Sequence, residues 1–290
     1  MQNCTPNNNN LKYKEKIYKR ALAPDWGELM IRAAVIAYLG ILIVLPLIAL
    51  TGQGLQGGLE SLMRIMTRPI VIAALRLTLI TALFMALVNA LMGTITAWVL
   101  VRYRFWGRRF LAALVDLPFA IPTLVTGVML VLLFGPHTRI GLWFMEHDWP
   151  IAFAPPSIVL ALLFITVPFV VRAVEPVLLE QDPAEEEAAH TLGAGNWITF
   201  WRVLLPPLLP AILSGTIRSF ARALGEFGSI VVVSGNIPYQ TLTIPIYIFG
   251  EIESGRTTTA AAVSLLLLVL AISLTAGANA LDRWMGLQHD

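Results

Sequence analysis

Arg218, Arg222 and Glu226 recur every fourth residue through a largely apolar stretch, and Asp116 is the other carboxylate set inside a long apolar block. In a helix, that spacing puts Arg218, Arg222 and Glu226 along one face. A guanidinium offers a planar fork of donors that can hold two oxygens of a carboxylate or of a tetrahedral oxyanion. A charge at the centre of a membrane helix costs about 2.5–3.5 kcal/mol on insertion scales. Three such charges must therefore face protein, water or one another, and Arg222 and Glu226 can pair. Two roles stay open for these residues: a salt-bridged packing point, or the polar lining or gate of a solute path. Asp116 begins DLPFAIPT, residues 116–123, where Pro118 and Pro122 distort or break the helix. It sits either on a kinked helix near the cytoplasmic interface or in an unwound segment of the path.

Other chemistry is poorly provided for. The sequence holds no G-x-x-x-x-G-K-[ST] phosphate loop, and its last lysine is Lys19. His137, His147, His190 and His289 never fall three or four residues apart, and Cys4 is the sole cysteine. A zinc site, a disulfide framework and a resident cofactor are not expected. The residues alone leave two energy sources open, a separate ATPase or an ion gradient acting through broken helices.

The elements that must carry these charges are membrane helices. The chain has 290 residues, of which 57% are hydrophobic and 13% charged, about half the charge of an ordinary soluble domain. Its apolar residues come in blocks. A bilayer core needs about 20 apolar residues per helix, and unpaired strands cannot cross it. An all-α membrane protein with about six spans is expected: Ile31–Leu50, Leu75–Leu100, Leu111–Phe134, Ser157–Val171, Leu208–Ser234 and Ala260–Leu281. Residues 1–30 form a polar, basic tail without a cleavable signal, so the first span serves as the insertion signal. Residues 31–70 supply that span and an outer loop, 71–281 the main transmembrane domain, and 282–290 a short tail.

Lysine and arginine placement orients the spans. Lys12, Lys14, Lys16, Lys19, Arg20, Arg102, Arg104, Arg108, Arg109, Arg172, Arg202 and Arg283 fall on one side. Arg64, Arg68, Arg139 and Arg256 fall on the other. Both termini are expected in the cytosol, with outer loops at 51–70, 135–153 and 235–258. The basic Lys12–Arg20 run suits anionic lipid rather than nucleic acid.

Residues 182–206, DPAEEEAAHTLGAGNWITFWRVLLP, interrupt this apolar pattern on the cytosolic side. Asp182 is a helix N-cap followed by Pro183 at the first helical position. Gly193 suits the left-handed residue that ends a helix. Asn196 would cap a second short helix, with Trp197, Phe200, Trp201 and Leu204 on one face and Pro206 limiting its extension. The expected product is a cytoplasmic helical hairpin, either packed on its own membrane domain or docked on a partner.

Glu187, Ala188, Ala189, Gly193, Leu205 and Pro206, at this spacing, resemble the EAA loop of bacterial ABC importer permeases. Val203 stands where that family has isoleucine. FARALGEFGS (220–229), DLPFAIPT, RYRFWGRR (102–109) and PFVVRAVEPVL (168–178) resemble the permeases of the sulfate/thiosulfate group, with Trp106 replacing a family proline. Asn236–Pro238 and Thr241–Pro245 are shared with the related molybdate permeases. The resemblance runs from about Leu75 to the C-terminus. It implies a type I ABC importer permease fold with a cytoplasmic coupling hairpin in the bacterial inner membrane. It further implies no enzymatic activity in this chain, a second homologous permease subunit, and an ATPase dimer that binds ATP and magnesium. An extracytoplasmic sulfate-binding protein completes the set. Sulfate with thiosulfate is the expected cargo and the T-type subunit the expected kind, against the W-type. A molybdate or tungstate permease and an ion-coupled anion carrier are the alternatives.

Overall fold

The computed structural model describes residues 26–284, of which Asp282 and Trp284 are described by backbone alone. The basic run Lys12–Arg20 and most of both predicted tails lie outside the described residues. The chain divides into two units at Gly52 and Gln53.

The described residues form twelve helices. They are α1 (Trp26–Gly54), α2 (Gly58–Met66), α3 (Pro69–Arg102), α4 (Arg108–Ala120), α5 (Thr123–Phe134), α6 (Arg139–Glu146), α7 (Pro155–Glu180), α8 (Pro183–Thr191), α9 (Asn196–Leu224), α10 (Gly228–Val233), α11 (Ile244–Glu253) and α12 (Thr257–Trp284). Five are long and apolar enough to cross a membrane: α1, α3, α7, α9 and α12. The bent pair α4/α5 makes a sixth if it counts as one span. The expected outer loops contain α2, α6 and α11.

Three expectations about the spans need correction. The third span is not one helix: α4 and α5 meet at 113°. Pro122 makes this break, because the residue before a proline is driven out of the helical region, and Ile121 is extended at ψ 126°. Pro118 is accommodated inside α4, so Asp116 is helical. The fourth span runs on as one helix to Glu180, so Arg172 is helical rather than in a loop. The fifth ends at Leu224 instead of Ser234, with a separate short α10 following.

Proline shapes two other helices more gently. α1 carries a π turn at Gly40–Val44 just before Pro46, and α9 carries one at Phe200–Leu204 just before Pro206 and Pro207. A proline offers no N–H to the residue four back, and its ring crowds that carbonyl. A wider turn relieves both problems without ending the helix. Pro206 therefore does not terminate the second helix of the hairpin, and Asn196 opens one continuous helix through to Leu224.

Small residues set the packing of the second unit. A Cβ at Gly93 on α3 would lie 2.8 Å from the Val170 Cβ on α7. One at Gly215 on α9 would lie 2.9 Å from the Ala173 Cβ. Such close approach is how membrane helices gain contact without a hydrophobic drive between them. Beside these contacts the Asn89 amide donates to the Thr166 hydroxyl at 2.7 Å, joining α3 and α7 in the interior. The core clusters around Met85, Leu162 and Leu224, and around Val170, Val174 and Leu208.

Candidate functional site: a polar hairpin and a charged turn

The hairpin is built from local caps. The Asp182 carboxylate accepts from the Ala184 N–H at 2.9 Å, and Pro183 opens α8. At the other end Gly193 takes φ +85°. Its N–H bonds the His190 carbonyl and the Ala194 N–H bonds the Ala189 carbonyl, each at 3.0 Å. This is the paired closure of a left-handed cap. The second arm starts at Gly195, which takes the cap position in place of Asn196.

The π turn in α9 splits the predicted aromatic face. Adding a residue to the turn shifts the phase of the side chains beyond it. Leu204 is buried, while Trp197 is 73% and Trp201 50% exposed. Phe200 turns inward, edge-on to Trp98 of α3 at 5.8 Å. Leu192, at the tip, is 88% exposed. Glu187 and Ala188 are exposed, Ala189 and Leu205 partly buried, and Gly193 and Pro206 exposed. The hairpin thus presents large apolar side chains on an otherwise acidic element, the signature of a surface meant to be covered.

A bridge that sequence reasoning missed ties this hairpin to the bundle. Arg102, at the end of α3, meets Glu186 of α8 at 2.6 Å, and its guanidinium lies 5.6 Å from the Trp98 ring centre. The two charges touch without aligned hydrogen-bond geometry. Gln181 also donates to the Leu204 carbonyl at 3.1 Å, closing the base of the hairpin.

The charged stripe resolves differently. Arg222 and Glu226 do pair, at 2.9 Å, but not within one helix. Gly225 ends α9 and Glu226 lies beyond it. The Glu226 side chain is 2% exposed and also accepts from the Ser229 N–H and hydroxyl, each at 3.0 Å. Its carboxylate thus holds Arg222 with one oxygen and the start of α10 with the other. Arg218 stands apart from this turn, with the Ser214 hydroxyl and the Asn279 side chain of α12 each at 3.3 Å. Asp116 belongs to a third place, where both its oxygens receive the fork of Arg172 on α7, which also bonds Glu175. Among the described residues these four make three separate contacts: Arg222 with Glu226, Arg218 with Ser214 and Asn279, and Asp116 with Arg172. Arg172, Glu175 and Ser229 are the partners that sequence reasoning missed: Arg172 reaches Asp116 across 56 residues through folding, whereas Glu175 is a helical i,i+3 neighbour of Arg172 and Ser229 a turn neighbour of Glu226.

Residues 89–287 match the model of a family described as the binding-protein-dependent transport system inner membrane component. The chain belongs to that family. The permease is 42% identical to the probable sulfate transport system permease protein cysT of Chlorokybus atmophyticus, over 84% of this chain and 85% of that one. It is also 42% identical to the sulfate transport system permease protein CysT of Synechocystis sp., over 86% and 87% of the two chains. Its identity to the CysW protein of the same organism is 41%, over 83% and 87%. The permease has the fold of a chain in the crystal structure of a bacterial alginate ABC transporter in complex with alginate pentasaccharide-bound periplasmic protein. That match has a TM-score of 0.76 at 20% identity and covers 92% of this chain and 97% of that one.

Proposed function

We infer that this permease is the transmembrane subunit of an ATP-driven importer that carries sulfate, and thiosulfate by the same route, across the cytoplasmic membrane. The observation that carries the reading is the 42% identity to sulfate permeases over most of both chains. The longer alignment to the T-type than to the W-type protein of one organism favours the T-type role. A homologous permease subunit would complete the pathway, an ATPase pair that binds ATP and magnesium would dock beneath, and an extracytoplasmic protein would deliver the anion. Both termini and the hairpin face the cytosol in this reading.

The hairpin supports the coupling step. Glu187, Ala188, Ala189 and Gly193 present a short capped helix, and Leu205 and Pro206 lie where its second arm enters the bundle. Closure of the ATPase pair pushes on α8, and the push passes to the bundle through Arg102–Glu186 and through α9, which is continuous from Asn196 to Leu224. α9 ends where Arg222 meets Glu226, so this charged turn is placed to change the path between its two states. The chain makes or breaks no covalent bond. Arg218, Arg222, Glu226 and Asp116 act in this reading as packing points and gates rather than as a tight anion site. A pathway that bound its cargo tightly would not release it.

The test is uptake of labelled sulfate into proteoliposomes holding the permease, its partner permease, the ATPase and the binding protein. ATP-dependent uptake that thiosulfate blocks and molybdate leaves alone is the expected result. Uptake of molybdate without sulfate would move the cargo to molybdate or tungstate. Uptake driven by an ion gradient without ATP would overturn the importer.

A further inference from the structure

Arg76 lies on α3 about two turns, roughly 10 Å, from Pro69. It is exposed, and among the described residues no carboxylate pairs with it. Of the other arginines in the long helices of the second unit, Arg102, Arg172, Arg218 and Arg222 have a polar or charged partner, while Arg202 in the hairpin and Arg283 at the last turn of α12 are exposed. A bare guanidinium on a lipid-facing surface would cost about 2.5–3.5 kcal/mol at mid-depth. Arg76 must therefore find an anion or water on its open side.

What surrounds it favours an anion. Arg76 opens onto a recess walled by Ile72, Leu77 and Ile80 and closed on another side by Tyr239 and Gln240. A phenol, a primary amide and a guanidinium all donate hydrogen bonds, and no carboxylate lines the recess. Low-dielectric walls around one sign of charge concentrate its field. The Tyr239 and Gln240 loop is also held rigidly. Asn236 donates to the Val231 carbonyl at 3.1 Å, the Thr241 hydroxyl accepts from the Ile237 N–H at 2.9 Å, and the Ile244 N–H donates to Thr78 of α3 at 3.0 Å. Tyr239 itself sits at φ +64°, an uncommon conformation for an aromatic residue, and its side chain is left 65% exposed. Strain kept in a tied-down loop points to a placed side chain.

We propose that Arg76, with the Tyr239 hydroxyl and the Gln240 amide, forms a weak contact site for a divalent tetrahedral oxyanion on its way through the permease. The site has one fork and an open side, so it guides the anion without retaining it. It rests on the sulfate reading above and adds the residues that meet the cargo.

The test compares wild type, Arg76→Gln and Arg76→Lys in the reconstituted four-component importer, varying the concentration of sulfate-loaded binding protein. Losing one charge-assisted contact should lower the maximal sulfate uptake rate about tenfold in Arg76→Gln. Arg76→Lys, which keeps the charge and loses the fork, should fall between it and wild type. The half-saturating binding-protein concentration and the yield of assembled complex should stay at wild-type values. Unchanged uptake in Arg76→Gln would overturn the proposal. So would a raised half-saturation at full maximal rate, which would make Arg76 a docking contact for the binding protein. Loss of complex yield would overturn it too, by assigning Arg76 to a carboxylate of the partner permease. A wild-type importer that takes up molybdate but no sulfate would instead sink the cargo reading, and repeating the comparison with molybdate would still decide the oxyanion site.

Discussion

The hairpin at 182–206 and the charged turn at 222–229 both place carboxylates where an apolar helix stops, yet they treat those carboxylates in opposite ways. In the hairpin Glu187 points into solvent and Glu186 is only partly covered. In the turn Glu226 is buried and spends both oxygens on protein partners. An exposed acid keeps the hairpin polar, while its Leu192, Trp197 and Trp201 stay exposed. A buried acid makes the turn a joint between α9 and α10. One region leaves its polar and apolar side chains open, and the other fixes two parts of the chain to each other. Substitutions in the first should therefore cost coupling and spare folding, and those in the second should cost both.

The largest effect is expected at Gly193. Its φ of +85° suits glycine, and a Cβ there meets no neighbour. Gly193→Val therefore introduces backbone strain without a steric clash, and a left-handed β-branched residue is a severe outlier. The cap that shapes the tip of α8 should open. Recovery of the ATPase with the permease and sulfate uptake should both fall at least about tenfold, as expected from roughly 2 kcal/mol of strain. Membrane insertion should persist. Normal co-purification and normal uptake would erase the contrast between the two regions.

Next comes Glu226. Replacement by alanine leaves Arg222 and the Ser229 N–H without their shared acceptor, and removing one partner of such a pair costs about 3 kcal/mol. The complex should lose Tm in detergent, and uptake should fall with it. Glu226→Gln can still accept from Ser229 and should lose less of both. Equal losses in the two variants would show that the charge matters and the bond to Ser229 does not.

The two regions also differ in how far sequence reaches them. The ends of α8 were legible because each signal acts within five residues: Asp182 on Ala184, and Gly193 on the carbonyls just behind it. The pairing of Arg222 with Glu226 was legible for the same reason. Its setting was not. Helical spacing extended the fifth span to Ser234, whereas Gly225 ends it and Ser229 takes the second carboxylate oxygen. Asp116 shows the same limit, since its partner Arg172 lies 56 residues away and became accessible only when α7 packed beside α4. The 113° break between α4 and α5 was half visible: two prolines were present, and only packing decided which of them broke the helix. The six apolar blocks needed nothing beyond composition, and all six are helical over most of their length.

A smaller effect should follow from Arg102→Ala, which removes the link between the hairpin and α3. A partly exposed ion pair is worth about 1 kcal/mol or less, and the contact over Trp98 adds about 0.5–1 kcal/mol. Tm should fall by a few degrees at most. ATP hydrolysis stimulated by loaded binding protein should fall more than basal hydrolysis, as the proposed coupling route through this bridge requires. Equal loss of both rates would make Arg102 purely structural.

The smallest effect tests whether the hairpin's cap is a general device of this chain. α11 ends as α8 does: Gly255 takes φ +74°, its N–H bonds the Ile252 carbonyl, and the Arg256 N–H bonds the Glu251 carbonyl. Here the residue after the glycine is an arginine, and the closure brings its side chain back onto Glu251 at 2.7 and 2.9 Å. Hydrogen bonding to Arg256 holds the Glu251 carboxyl below its ordinary 4.5, against the opposing effect of burial. A carboxylate whose pKa is depressed on folding stabilises the fold fully above its unfolded value and loses that contribution as pH falls through the folded one. The Tm gap between wild type and Glu251→Gln should thus be constant above the unfolded carboxyl value and close as pH falls through the lower folded one. Arg256→Gln should flatten that dependence. A gap that stays open in acid would show that Glu251 stabilises the cap by packing, and that the likeness between the ends of α8 and α11 is confined to the backbone.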